Sequence, residues 1–125
     1  MVFGIGVDIL EIEHFKKNFN SLKTRKSLNR LFTEEEIDYA EKNRRTENLA
    51  TTFAGKEAIL KALSLNLSKK NYFPEIKIKR DPSGKPYVFL KGNLAKKFPR
   101  NKYRIFISLS FESKIVIAFV ILEKV

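Results

Sequence analysis

The sequence contains no cysteine. Disulfides, thiolate zinc sites and a cysteine nucleophile are therefore excluded, and the absence fits a cytoplasmic location. Histidine occurs once, at His14, which removes a histidine-rich metal site as well. No apolar run approaches the roughly 20 residues that a helix needs to cross a bilayer. The longest, Ile115 to Leu122, has the length of a strand. The opening MVFGIGVDIL lacks the basic start and the small-residue cleavage site of a signal peptide. Repeats, low-complexity tracts and interdomain linkers are also missing, so residues 1–125 are expected to form one domain around one core. Acidic residues are scarce beside basic ones: fourteen Asp and Glu stand against twenty-five Lys and Arg, a net charge of +11. That field draws anions, whether nucleic acid, nucleotide phosphates, acidic proteins or anionic lipid. Lysine-rich composition also serves solubility, so charge alone does not choose among them.

What is present suits a packed core, with 43% of residues hydrophobic. Residues 2 to 12 alternate. Phe3, Ile5, Val7 and Ile9 share one face, as a half-buried strand requires. The other face carries Val2, Gly4, Gly6 and Asp8, and glycines there suggest that something approaches closely. A basic stretch follows, with Phe15, Phe19, Leu22 and Lys26 at helical spacing. Thr33 and Glu36 make a capping box for a helix that starts with three glutamates. Thr46 is the expected cap of a long helix running to about Leu65. Pro74 to Leu90 reads as a hairpin turning at Asp81-Pro82-Ser83-Gly84. GNLAKKFP suits a short helix stopped by Pro99. RIFISLSF and KIVIAFVILE are two strands joined near Glu112 and Ser113. The pattern is α+β, an antiparallel sheet packed with one long helix and shorter ones.

Three stretches carry chemistry. On a wheel of about 100° per residue, Leu49, Phe53, Leu60, Leu63 and Leu67 form one stripe of the long helix. Ala50, Ala54, Glu57 and Lys61 form a second stripe beside it, and Lys56 lies on the other flank. An i,i+4 Glu–Lys pair adds about 0.2–0.5 kcal/mol to an exposed helix, whereas partly burying a charge costs several. A covered stripe therefore favours a polar ligand; an uncovered one is an ordinary ion pair. Asp8 is either a strand-end aspartate capping a turn or one of two carboxylates that hold Mg²⁺ with phosphate oxygens and water. DPSGKPYV is either a plain hairpin turn or one whose Gly84 admits close approach, whose Lys85 meets phosphate and whose Pro86 stiffens the exit.

Together these residues resemble the holo-[acyl-carrier-protein] synthases, the short homotrimeric group of 4′-phosphopantetheinyl transferases. The matching stretches are GIGVDILEIEHF, RLFTEEEIDYA, FAGKEAILKAL, DPSGKPYV and ISLSFESKIVIAFVILE, in that order. The resemblance implies the fold of that family and Mg²⁺-dependent transfer of phosphopantetheine from coenzyme A to a serine of acyl carrier protein, releasing adenosine 3′,5′-bisphosphate. It implies Asp8 and Glu57 as metal ligands, and Lys61 as the contact to the phosphates. Asp8, Glu57 and Lys61 are then the catalytic set. Lys56, Lys61, Gly84, Lys85, Pro86 and Ser110 are the implied coenzyme contacts, and His14, Lys16, Lys17 and Arg25 the carrier-protein contacts. A homotrimer with sites between subunits is implied too, in which Asp8 and the turn at 81–86 can come from a different subunit than Glu57. The resemblance also implies Glu57 as the base for the attacking serine, directly or through a metal-bound water, and leaves the two routes open.

Three positions depart from the family. Its Ser-His in the late strand is Ser110-Phe111 here. Its arginine before the Phe-Ala of the long helix is Thr52. His14 stands where arginine is common. These departures keep a coenzyme A-binding chain without transfer activity as an alternative. The charge keeps a basic nucleic-acid-binding module as another, with Tyr87, Phe89, Phe106 and Phe111 for stacking.

Overall fold

The computed structural model describes residues 1–19, 23–66 and 70–125. Leu22 and Leu67, assigned above to helical stripes, lie outside the described residues. The elements are β1 (Val2–Glu11), α1 (Ile12–Asn18), α2 (Arg25–Leu28), α3 (Glu34–Lys42), α4 (Arg45–Ala62), β2 (Ile76–Arg80), β3 (Pro86–Leu90), α5 (Gly92–Lys97), β4 (Tyr103–Glu112) and β5 (Ile115–Lys124). A short 3₁₀ turn, Phe73–Glu75, precedes β2. The architecture is α+β. One antiparallel sheet has the order β1-β5-β4, and β2 and β3 form a separate hairpin.

Local chemistry accounts for most boundaries. Thr33 accepts from the Glu36 amide while Glu36 accepts from the Thr33 amide, which closes the capping box of α3. The long helix starts differently from expectation. Thr46 lies inside α4, and the cap is Arg44, in the left-handed region at φ 47° with no side-chain cap. Asn48 instead bonds the carbonyls of Asn43 and Arg44, so the chain enters the helix through a side chain four residues on.

Helix α4 is the centre of the molecule. Ala50, Ala54, Ala58 and Ala62 recur every fourth residue and are all buried. This smooth ridge faces the glycines of β1. A Cβ on Gly4 would sit 2.1 Å from the Ala62 carbonyl oxygen, and one on Gly6 would sit 1.9 Å from that of Ala58. Only hydrogen side chains let the strand and helix backbones come this near.

The glycine face of β1 is therefore the covered one. This reverses the expectation for Phe3, Ile5, Val7 and Ile9, which point outward, each more than half exposed. They continue into Ile117 and Phe119 of β5 and Phe106 of β4, also outward and exposed. The inner face of β5, Val116, Ala118, Val120 and Leu122, is fully buried against α4.

Candidate active site

The close approach of β1 to α4 brings Asp8 to the helix. Lys61 donates to the Asp8 carboxylate at 3.1 Å and to the Val7 carbonyl at 2.9 Å, joining residues 53 positions apart. The Asp8 side chain is 17% exposed and that of Lys61 54%. Glu57, one turn before Lys61, is half-buried. Burial pushes its carboxyl above the ordinary value, and the negative Asp8 adds to the rise while Lys61 opposes it. Asp8, Glu57 and Lys61 thus converge within a single chain. The implication that Asp8 can reach Glu57 from another subunit is corrected: the Gly4–Gly6 contact with α4 delivers Asp8 to its own helix.

These groups suit a hard divalent cation. Two carboxylates in a partly buried setting repel each other, and Glu57 already resists ionisation there. A cation would relieve both effects. No cluster of three acidic, histidine or cysteine groups occurs among the described residues. Water and substrate oxygens would complete the coordination.

Glu57 opens into a cleft of about 540 Å³ between β1, α1 and α4, with His14, Asn18, Phe19 and Phe53 on its walls. His14 therefore shares a cleft with Glu57. Lys16 and Lys17 are exposed on the same short helix. Arg25 is already engaged, by Glu34 at 2.7 Å and Asp38 at 2.5 Å.

The Gly84, Lys85 and Pro86 turn lies elsewhere. Asp81 organises it, accepting from the Ser83 amide, the Ser83 hydroxyl and the Lys85 amide. Gly84 adopts φ +89°. Lys85 and Pro86 border a separate cleft of about 440 Å³ between β3 and β4, which Glu57 does not line. A third, smaller pocket surrounds Ser110 at the start of α4. Arg44, Asn48, Thr51 and Arg80 line it, and the Arg44 guanidinium rests 5.2 Å from the Phe111 ring centroid.

Residues 4–120 match the model of the 4′-phosphopantetheinyl transferase superfamily. The chain belongs to this superfamily. It is 40% identical to the holo-[acyl-carrier-protein] synthase of Clostridium botulinum (strain Alaska E43 / Type E3) over 124 residues, 98% of each chain. Among solved structures, the Neisseria meningitidis holo-[acyl-carrier-protein] synthase superposes with a TM-score of 0.86 at 31% identity, covering 99% of this chain and 100% of that one. The Bacillus anthracis synthase, solved in complex with CoA (3′,5′-ADP), gives 0.79 at 29% identity, covering 100% and 99%.

Lys56 does not fit the coenzyme-binding role assigned to it. It is fully buried and paired with Glu36 at 2.7 Å, and it also donates to the carbonyls of Leu31 and Phe73. Every proton of its ammonium is used inside the protein. Glu36 in turn accepts from the Ile78 amide of β2 at 2.7 Å. This pair ties α3, α4 and the hairpin together, and it is not legible in the sequence because the partners are far apart in the chain. Arg44 and Arg80 were missed too. For Arg80 a signal existed, since the alternation of IKIKR puts it on the face of Ile76 and Ile78, both buried.

Proposed function

We propose that this chain transfers 4′-phosphopantetheine from coenzyme A to a serine of acyl carrier protein, in the cytoplasm and for fatty acid biosynthesis, with Mg²⁺ held by Asp8 and Glu57. The observation that carries the reading is the convergence of Asp8, Glu57 and Lys61, with Glu57 opening into the cleft beside α1. Bound magnesium would supply positive charge at the pyrophosphate. The serine oxygen forms a bond to the phosphorus that bears pantetheine. The bond from that phosphorus to the bridging oxygen breaks, and its electron pair leaves with adenosine 3′,5′-bisphosphate. Glu57 receives the serine proton directly or through one water. Lys61 is placed to offset charge on the leaving group. Holding two large substrates in register supplies much of the rest.

The active assembly is a homotrimer with sites between subunits. Two features support this. The outer sheet face built from Ile5, Val7, Ile9, Phe106, Ile117 and Phe119 is apolar and uncovered, larger than scattered surface residues explain. Gly84, Lys85 and Pro86 also sit away from the Glu57 cleft of their own chain, so they would serve the coenzyme in a neighbour's site. Ser110 would meet a coenzyme phosphate. The exposed Lys16 and Lys17, with His14 inside the cleft, would receive the acidic carrier protein, and Arg25 would add a contact if it exchanges one of its own carboxylates.

The test is intact mass spectrometry of apo carrier protein after incubation with this chain, coenzyme A and Mg²⁺. The expected product gains one phosphopantetheine, and EDTA, Glu57→Gln or Asp8→Asn abolishes the gain. Absence of the adduct with wild-type protein would overturn the reading.

A further inference from the structure

We infer that the groove between β3 and β4 binds single-stranded nucleic acid, a function distinct from phosphopantetheine transfer and not dependent on it. Charge sets this part of the molecule apart. Between Asp81 and Glu112 the chain has no acidic residue and seven basic ones, from Lys85 to Arg104, so thirty residues hold +7 of the net +11. All seven are exposed. Among the described residues only Arg104 of the seven forms an ion pair, with Glu123 at 4.0 Å. The others present their charge to solvent, which draws a polyanion.

The groove adds what a nucleic acid needs beyond charge. It encloses about 440 Å³, and no acidic residue lines it. Three of the four aromatics that the sequence offers for stacking, Tyr87, Phe89 and Phe106, come together on its walls, while Phe111 lies elsewhere beside Arg44. Phe106 stands at the border with the outer sheet face that a trimer would cover, so Tyr87 and Phe89 are the stacking pair. Alternation along β3 sends both to one side. The Arg100 guanidinium lies 4.9 Å from the Phe89 ring centroid, and the Lys85 ammonium 5.6 Å from that of Tyr87. Each pair sets a flat ring beside a cation, so a base can stack where its phosphate is neutralised. The strands contribute as well. β4 ends the three-stranded sheet and β3 pairs with β2 alone. Both turn backbone donors and acceptors without ladder partners toward the groove, open to base edges.

Other occupants fit less well. The proposed coenzyme contacts claim only the end at Lys85 and Pro86. Phe89, Arg100 and Arg104 lie further along and have no task in the transfer. A duplex is too wide for a groove of this volume, whereas a single strand offers its bases one at a time. An anionic membrane would meet the charge but leave the recessed rings unused. β3 runs about 17 Å at roughly 3.4 Å per residue, room for a short run of nucleotides. Lys97 stands beside Phe98 on the groove wall and carries the positive surface beyond it.

The experiment measures fluorescence anisotropy of a labelled single-stranded oligouridylate of about twelve nucleotides, within the roughly 4–16 that such grooves occupy, titrated with the full chain. Wild type is expected to bind with a steep salt dependence, to bind the duplex with oligoadenylate less tightly, and to keep the single strand when coenzyme A is added. Arg100→Gln should weaken binding roughly five- to tenfold and flatten the plot of log affinity against log salt by about 0.7, the share of one phosphate contact. Tyr87→Leu should weaken it roughly fivefold or more through lost stacking, with the salt slope unchanged. Lys26→Gln with Lys42→Gln removes two exposed charges outside the groove and should cost far less than Arg100→Gln alone. Thermal melting checks that every variant folds. Carrier-protein modification is read separately, so loss of one activity is distinguishable from loss of the other. Equal losses from the groove and control variants, or displacement by coenzyme A, overturns the proposal. So does absence of binding, and binding to phosphatidylserine vesicles in its place assigns the groove to a membrane instead.

Discussion

A Cβ placed on Gly6 would lie 1.9 Å from the carbonyl oxygen of Ala58. Backbone meets backbone here, so no side-chain rotation can relieve the overlap. Gly6→Ala must push β1 away from α4, and Asp8 moves with it. The expected loss of stability is about 3 kcal/mol or more, read as a lower denaturant midpoint, with transfer activity reduced further than stability alone explains. Gly84→Ala is the comparison. Nothing lies within 4 Å of its Cβ, and only the φ of +89° is strained, so the cost is limited to about 1 kcal/mol. Equal tolerance at both positions would contradict the packing described.

Lys56→Met is expected to destabilise the chain by about 3–5 kcal/mol in urea unfolding. The substitution leaves the Glu36 carboxylate buried without its cation. It also orphans the Leu31 and Phe73 carbonyls. Introducing Glu36→Gln beside it should recover part of the loss, because the buried negative charge is then gone. A Lys56→Met protein as stable as wild type would return Lys56 to the list of coenzyme contacts.

Glu57→Gln separates function from stability. The folded chain holds a proton at Glu57 more tightly than the unfolded chain does. The stability this confers is complete below the ordinary carboxyl pKa and is lost as pH rises through the raised folded value. At neutral pH the ionised side chain is therefore a liability. Without metal, Glu57→Gln should raise Tm by roughly 1–3 °C after allowance for solvent screening, and the advantage should vanish under mildly acidic conditions. Adding magnesium should raise Tm of wild type alone. A fall in Tm at neutral pH would show that Asp8 and burial do not act on Glu57 as described.

The outer sheet face gives the test of assembly. Phe119 is 43% exposed in the centre of that face, paired with Val7 on one side and Ser108 on the other. Phe119→Arg should convert a trimer to a monomer in sedimentation experiments. Transfer activity should fall with it, because the Gly84 turn then has no neighbouring site to complete. A wild-type monomer with full activity would remove the trimer from the proposal.

Much of the fold was legible in the chain because its causes are local. The Thr33 capping box, the turn at Asp81 to Gly84, the alternation of the late strands and the alanines of α4 act over a few residues, and the structure has them where periodicity and turn chemistry place them. Asp8, Glu57 and Lys61 could be named from their motifs, and the two glycines before Asp8 announced a close neighbour. The sequence could not say which face of β1 would be covered, since both faces show the same period of two. Tertiary packing decided it: only the side without side chains admits a helix backbone, so the residues that looked like core became surface. The fate of Lys56 was also invisible along the chain. Whether a helical lysine meets solvent, a ligand or a buried carboxylate depends on what folds against it, and Glu36, twenty positions earlier, is brought there only by the packing of α3 on α4.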